Sequence, residues 1–291
     1  MPAAISLITL LTDFGDRDYF VAGMKGVILG INSQTRIVDL SHQVTPHQVE
    51  EAAYLLKACY RYFPDGTIHV AVVDPGVGSA RKPLLVTTNR YHFLAPDNGL
   101  LTLILAEDSE MEVREIENVD YRLTSPGRTF DGRDLFAPAA AWLTRQQPFA
   151  SFGQLIDNCK TFTIAKPKWE TRALVGEIVY VDRFGNLISN LTPHHLMEIR
   201  DVTKRPNPLI RIAKADEKSD RRRQRRSMTE AELLQLLNVA RGGTLLQHLA
   251  ERCGTDDHGQ PGATAGERDV EVVGGSLLAT ALGATTTRTR C

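Results

Sequence analysis

The chain has 291 residues, of which 42% are hydrophobic and 24% are charged, and its formal net charge is -1. This length and composition predict a soluble globular protein with one large domain or two modest ones. The balanced charge argues against a global field that recruits nucleic acid or an anionic membrane, and no apolar run approaches the roughly 18–20 residues that span a bilayer.

The N-terminal segment has neither the basic region nor the cleavage site of a signal peptide, and it runs directly into a predicted strand. The four cysteines are far apart and form no CxxC pair; they are Cys59, Cys159, Cys253 and Cys291. Such dispersed cysteines suit a reducing compartment and argue against a zinc site. We therefore expect a cytoplasmic protein without a bound metal and without a nucleic-acid or membrane partner.

The first predicted strand, 5–11, leads into a turn that carries three carboxylates, Asp13, Asp16 and Asp18. These acids have two interpretations. They could cap the helix predicted over 19–31, since acids are favoured at a helix N-terminus, or they could hold the hydroxyls and amine of a polar ligand. A short strand at 36–40 follows, and then a helix is predicted to begin with Thr45 as its N-cap and Pro46 as its first residue.

An apolar run at 68–73 predicts a buried strand, and a glycine-rich loop, Asp74-Pro-Gly-Val-Gly-Ser-Ala-Arg81, follows it. Ligands of open α/β sheets bind beyond the carboxyl ends of the strands, so Asp74 and Arg81 could form a polar clamp at a site edge. The alternative is an ordinary turn with a surface salt bridge, because strand–Asp–Pro–Gly is a common turn pattern.

Strands are next predicted at 84–88 and 91–95, and the second of them leads into Asp97-Asn98-Gly99 and a helix at 100–106. Three predicted strands thus end at an aspartate with a nearby glycine: Asp13, Asp74 and Asp97. Because strands and helices alternate, we expect these acidic turns to converge on one edge of a largely parallel sheet.

The character of the chain changes after Pro148. Residues 165–169 resemble a linker, and 173–182 with 187–191 predict a hairpin that opens a β-rich region. The predicted fold is an α/β N-terminal domain (1–165) and a smaller, barrel-like β-rich C-terminal domain (166–291). Residues 202–291 are atypical and could be divergent, incomplete or partly disordered. They include a basic run at 221–226, which could instead serve an interaction module.

Five motifs occur in an order that resembles the S-adenosylmethionine hydroxide adenosyltransferase family, which is related to fluorinating and chlorinating enzymes. The motifs are Leu11-Thr-Asp-Phe-Gly15, Asp74-Pro-Gly-Val-Gly-Ser-Ala-Arg81, Ala95-Pro-Asp-Asn-Gly99, Thr129-Phe-Asp-Gly-Arg-Asp-Leu-Phe-Ala-Pro138 and Asp182-Arg-Phe-Gly-Asn186. The resemblance covers about residues 5–195. It implies a homotrimer that uses water to split S-adenosylmethionine at the 5′ carbon into adenosine and methionine, without a metal or redox cofactor.

The resemblance also implies roles for individual positions. Asp74 and Arg81 match two members of the Asp-Arg-His set that orients and activates water, and Asp131 stands at the position of the third member. Asp13 matches the ribose-binding aspartate, and Asp182, Phe184 and Asn186 match the residues that hold the methionine part and pack near the adenosine. Asp18 and Asn98, in the acidic turns, are further expected substrate-binding residues because carboxylates and amides suit the polar groups of the substrate. Halogenating relatives have a serine where this chain has Gly132, which favours hydroxide over halide.

Two departures from the family pattern leave alternatives open. The family has a histidine where this chain has Asp131, and a carboxylate is the weaker base. Beyond about residue 202 only 272–276 and 281–283 faintly resemble the strands expected there. The runner-up is therefore a weak or inactive adenosine- or S-adenosylmethionine-binding protein of the same fold, followed by a halogenating relative and by the interaction module.

Overall fold

The computed structural model describes residues 6–107, 110–124, 129–170, 173–203, 209–214, 226–227 and 269–274. The chain divides into two compact units, Met1–Thr163 and Ile164–Cys291. No helix within the described ranges is long and apolar enough to cross a membrane.

A six-stranded sheet forms the centre of the first unit. Its strands are β1 (Leu7–Thr12), β2 (Arg36–Ser41), β3 (Ile68–Val72), β4 (Pro83–Thr87), β5 (His92–Pro96) and β6 (Glu112–Glu115). The order is β2-β1-β3-β5-β4-β6; the pairs β2–β1, β1–β3 and β3–β5 are parallel, and β4 runs antiparallel to both of its neighbours. Strands β1 and β3 are buried along their whole length, as parallel strands covered on both faces are. The predicted mostly parallel α/β sheet is confirmed.

Helices cover the two faces of this sheet. They are α1 (Phe20–Ile31), α2 (Val49–Cys59), α3 (Thr102–Leu105) and α4 (Ala137–Thr144), with a π-helical turn at Gly132–Phe136 and 3-10 turns at Tyr60–Tyr62, Val119–Tyr121 and Phe149–Ser151. One core cluster joins α1 and α4 through Met24, Ile28 and Ala140, and a second contains Leu56 of α2 and Ile104 of α3. The sheet is thus packed between two hydrophobic cores.

The predicted start of one helix is wrong, and one of the two interpretations of the first acidic turn is excluded. Helix α2 begins at Val49 with Gln48 as its N-cap, not at Thr45, because His47 has a φ of +69° and breaks the helical path between them. The N-cap of α1 is Tyr19, without a side-chain cap or an acid in the first turn, so the carboxylates of 13–18 do not cap that helix.

The second unit contains β7 (Lys168–Glu170), β8 (Ala173–Val181), β9 (Leu187–Ser189), α5 (Pro193–Thr203), β10 (Leu209–Lys214), β11 (Arg226–Ser227) and β12 (Asp269–Gly274). Strand β8 pairs antiparallel with β7 and β9, which confirms the predicted hairpin, and parallel with β12. Strand β12 also pairs parallel with β10, so more β-structure follows residue 202 than the pattern indicated. Residues 221–225 of the basic run lie outside the described residues.

Candidate active site

A cavity of about 360 Å³ opens where the loops after β1 and β3 meet residues 129–133. Loops that follow neighbouring parallel strands emerge at the same edge of the sheet, where α/β proteins bind ligands. Asp13, Asp74 and Asp131 line the cavity together with aromatic side chains, so the loops after β1 and β3 converge as the sequence predicts.

Arg81 bridges two carboxylates at this cavity. Its guanidinium donates from Nε to Oδ2 of Asp74 at 2.7 Å and from a terminal nitrogen to Oδ2 of Asp131 at 2.5 Å. The exposed fractions of the side chains are 6% for Arg81, 4% for Asp74 and 13% for Asp131. The predicted clamp therefore forms as a buried ion bridge rather than as a surface salt bridge.

The charge balance of this bridge favours the protonated guanidinium. Burial by itself lowers the pKa of Arg81, but hydrogen bonding and charge from Asp74, and then from Asp131, outweigh burial and raise that pKa. Two carboxylates and one guanidinium leave a net negative charge at the cavity floor. Such a floor favours a positively charged ligand.

Hydrogen bonds within the loop fix the position of Asp74. Its Oδ1 accepts from the backbone N–H of Gly76 at 3.1 Å, and its backbone carbonyl accepts from Val77 N–H at 3.2 Å. Gly78 has a φ of +81°, a conformation that glycine adopts without steric cost, and it turns the chain back towards Arg81. The loop sequence thus places the arginine on the aspartate seven residues before it.

Only one carboxylate oxygen of Asp131 accepts a hydrogen bond from the described residues. Oδ2 accepts from Arg81, whereas no protein donor to Oδ1 is found among the described residues. Asp74, by contrast, uses both oxygens within its own loop and bridge. Within the described ranges, the free acceptor of the bridge is therefore Oδ1 of Asp131.

Aromatic side chains form the wall of the cavity. The ring of Phe20 lies 6.0 Å from that of Phe14, 5.0 Å from that of Tyr19 and 6.1 Å from that of Phe130. The guanidinium of Arg133 lies 4.9 Å from the ring centre of Phe130. The sequence motifs do not by themselves predict this wall, although the phenylalanines inside the polar motifs at 13–15 and 129–132 are a usable signal for it.

Asp13 is held by the loop that precedes α2. Its Oδ2 accepts from the backbone N–H of His47 at 2.9 Å, and Gly15 N–H donates to the carbonyl of His42 at 2.7 Å. His47 is also one of the residues that line the cavity. These bonds fix the loop after β1 against its neighbour.

A series of polar contacts that begins at Thr12, the residue before Asp13, supports the same loop. Thr12 Oγ1 accepts from the backbone N–H of Phe14 at 3.2 Å and bonds Nδ1 of His42 at 2.8 Å. Nε2 of His42 lies 3.1 Å from Asp39, whose other oxygen accepts from Lys25 at 2.6 Å. Burial raises the pKa of Asp39, but bonds to Lys25 and His42 outweigh it, so the pKa is lowered. This series of polar contacts therefore connects the end of β1 to β2 and α1.

Three other residues of the acidic turns lie away from the cavity lining. Asp18 is exposed. Asn98 donates from its amide to the carbonyl of Val73 at 2.8 Å and accepts from Leu100 N–H. Asp97 is buried and accepts from the backbone N–H of Lys160 at 2.7 Å. Asn98 and Asp97 thus fix backbone segments.

In the second unit, Asp182 organises the turn between β8 and β9. Its Oδ1 accepts from the backbone N–H groups of Phe184 and Asn186, each at 2.8 Å, and its Oδ2 accepts from the Asn186 amide at 2.5 Å. Asn186 is buried, and its Oδ1 has no partner among the described residues. Phe184 is 66% exposed at the tip of the turn.

Comparisons with known proteins agree with these motifs. The sequence model of the SAM hydroxide adenosyltransferase N-terminal domain matches residues 8–153. A second family, Peptidase C26, matches residues 233–291, of which the structure describes only 269–274.

Similar curated proteins include (R)-S-adenosyl-L-methionine hydrolases. That of Methanocaldococcus jannaschii is 34% identical and the match covers 64% of this chain and 67% of the relative; that of Thermus thermophilus is 37% identical, with 63% and 74% covered. A fluorinase from an Actinoplanes species is 30% identical, with 64% and 71% covered.

A crystal structure of an uncharacterized conserved protein from Thermotoga maritima superimposes with a TM-score of 0.67 at 34% identity, covering 77% of this chain and 82% of that one. The matching model covers half of the chain, and the hydrolase relatives exceed 30% identity over about two thirds or more of their length. This chain therefore belongs to the SAM hydroxide adenosyltransferase family.

Proposed function

We propose that this chain is an enzyme that hydrolyses S-adenosyl-L-methionine to adenosine and L-methionine by attack of water at the 5′ carbon of the ribose. The observation that carries the proposal is the buried bridge from Asp74 through Arg81 to Asp131 at the cavity. The hydrolase relatives support the same reaction.

The cavity suits a sulfonium substrate. Its lining combines the carboxylates of Asp13, Asp74 and Asp131 with aromatic faces, and both attract a cation. The sulfonium is already a good leaving group, so the protein must mainly position the nucleophile and exclude bulk water.

Asp131 is the proposed acceptor for the attacking water, because Oδ1 of its carboxylate is free of protein donors among the described residues. The water oxygen bonds to the 5′ carbon while the carbon–sulfur bond breaks and its electron pair leaves with the neutral thioether of methionine. The proton released by the water passes to Asp131 and then to solvent. Arg81 orients Asp131, and Asp74 holds Arg81.

The other residues that the sequence predicts for the site are proposed to bind the substrate. Asp13 binds the ribose hydroxyls, and Asp182, Phe184 and Asn186 bind the methionine part and the adenosine. Asp18 and Asn98 are proposed to bind polar groups of the substrate, and the hydrogen bond from the Asn98 amide to the carbonyl of Val73 holds the Asn98 side chain in place. No cofactor is proposed. A homotrimer and a cytoplasmic location also remain part of the proposal.

Product analysis tests this function against its alternatives. The full chain is incubated with S-adenosylmethionine, with and without fluoride or chloride, and the products are identified by mass spectrometry. Equal amounts of adenosine and methionine that are independent of halide are expected. A 5′-halo-adenosine would identify a halogenating enzyme, and binding of S-adenosylmethionine without any turnover would identify the binding-protein alternative.

A further inference from the structure

His47 occupies an unusual backbone conformation at the cavity. Its φ is +69°, and Gln146 is the only other non-glycine residue with positive φ in the part of the chain that the structure describes. This conformation costs energy for a residue with a side chain, and glycine or asparagine adopts it more readily. Such strain is concentrated at functional sites.

The backbone of His47 has a clear structural task. Its N–H donates to Oδ2 of Asp13 at 2.9 Å, and its carbonyl accepts from the N–H of Val49, the first residue of α2, at 3.1 Å. Both bonds use main-chain atoms only. A glycine at this position could make both with less strain, so these bonds do not explain why the residue is a histidine.

The imidazole of His47, unlike its backbone, makes no polar contact within the described residues. The residue is exposed, and no hydrogen bond or ion pair of its ring occurs within the described residues. The residue nevertheless lines the cavity together with Asp13. A neutral imidazole offers one donor and one acceptor, and a carboxylate offers acceptors. Together they match two neighbouring hydroxyls.

We infer that His47 is a substrate-contact residue whose imidazole binds a ribose hydroxyl next to Asp13. This inference rests on the proposed function. It adds a second sugar-binding side chain and explains why a strained position carries an imidazole.

Binding of nucleosides to the full chain tests the inference without relying on turnover. Wild type, His47→Gly and His47→Asn are titrated calorimetrically with adenosine, 2′-deoxyadenosine and 3′-deoxyadenosine. His47→Gly should bind adenosine roughly tenfold more weakly, as loss of one net hydrogen bond does. It should bind one of the two deoxyadenosines as wild type does, because that ligand already lacks the hydroxyl concerned. His47→Asn, which keeps a polar side chain, should bind adenosine with intermediate affinity.

Gln146→Gly is the matched control, because Gln146 is also exposed and has a φ of +60° but does not line the cavity. Both glycine variants should unfold at the same urea concentration as wild type or at a higher one. Only His47→Gly should lose adenosine affinity and raise the KM for S-adenosylmethionine, with kcat within about twofold of wild type.

Unchanged adenosine binding by His47→Gly, or an equal loss for all three nucleosides, would overturn the inference. Wild type that binds adenosine but does not hydrolyse S-adenosylmethionine would overturn the proposed function while the nucleoside titrations still decide the role of His47. Wild type that binds no nucleoside would overturn the inference about His47, whereas the proposed function is decided by turnover of S-adenosylmethionine.

Discussion

Oδ2 of Asp131 lies 2.5 Å from the guanidinium of Arg81, although the two residues are 50 positions apart in the chain. The loop after β3 supplies the arginine, and the turn that enters the π-helical segment supplies the aspartate. Asp74 occupies the other side of the same guanidinium. The proposed water site therefore depends on one arginine that neutralises part of the charge of two buried carboxylates.

Arg81→Met should lower both the free energy of unfolding and the activity more than a substitution at an exposed position does. It leaves Asp74 and Asp131 buried without their cation, and breaking a buried ion pair costs about 3–5 kcal/mol of unfolding free energy. Urea denaturation measures this loss. Adenosine release should fall at least about 100-fold, as expected when electrostatic positioning is removed.

Arg90→Met is the control for that substitution, because Arg90 pairs with Asp65 at the surface and its side chain is 57% exposed. An exposed pair contributes little to stability, so the urea midpoint and adenosine release of Arg90→Met should both stay close to those of wild type. An Arg81→Met protein as stable as Arg90→Met would contradict the buried bridge.

Asp131→Asn should lower kcat about 100-fold and leave KM nearly unchanged, since the amide keeps the shape of the side chain but cannot accept the proton. Asp131→His should release adenosine faster than wild type. A neutral imidazole beside the Arg81 cation is the stronger base of the two side chains. Steady-state kinetics of the three proteins measure the effect. Equal rates for wild type and Asp131→His would mean that the role of the imidazole in the family is misassigned.

Gly132→Ala should disturb the aromatic wall. A Cβ at this position would lie 3.0 Å from Cε2 and 3.2 Å from Cζ of Phe14, so the ring must move. We expect a loss of about 1–2 kcal/mol in unfolding free energy and a roughly tenfold lower kcat/KM. Gly26→Ala in α1 is the control, because a Cβ there meets nothing within 4 Å. It should stabilise the protein by about 0.5–1 kcal/mol without changing kinetics.

His69 makes stability depend on pH. Burial, with a smaller contribution from the charge of His92, lowers the pKa of His69 to about 3. Because the unfolded chain binds the proton at a pKa near 6.5, the stability is fully present above that pH and is lost progressively as the pH falls towards 3. The unfolding free energy at pH 5 should be about 2 kcal/mol below that at pH 7 from this group alone.

His69→Gln tests this assignment. Glutamine can still bond the hydroxyl of Thr9, which lies 2.7 Å from Nδ1 of His69, but it does not titrate. At pH 8 we expect the variant to be as stable as wild type or less stable. Between pH 7 and pH 5 its unfolding free energy should fall by less than that of wild type. A slope identical to that of wild type would assign the acid sensitivity to other groups.

Parallel strands and their acidic turns could be predicted because local patterns encode them. The buried runs of β1 and β3 and the aspartates that follow them are sufficient to place Asp13 and Asp74 at one edge. The bridge to Asp131 joins distant segments, so spacing alone does not encode it; only the resemblance grouped it with Arg81.

The start of α2 shows why a local pattern can fail. Thr45-Pro46 followed by acids has the sequence of a helix N-terminus, yet the backbone of His47 turns to donate to Asp13 and delays the helix to Val49. A tertiary hydrogen bond thus overrides a local preference. The hydrogen bond from the Asn98 amide to the Val73 carbonyl could not be predicted either, because it depends on the pairing of β3 with β5.

Oxygen labelling tests the central claim most directly. The full chain is incubated with S-adenosylmethionine in ¹⁸O-enriched water, and the adenosine formed is examined by mass spectrometry for label at the 5′ oxygen, with Asp131→Asn in parallel. Water attack predicts one ¹⁸O atom at that position, formed about 100-fold more slowly by the variant. Adenosine without the label would contradict direct attack by water at the 5′ carbon.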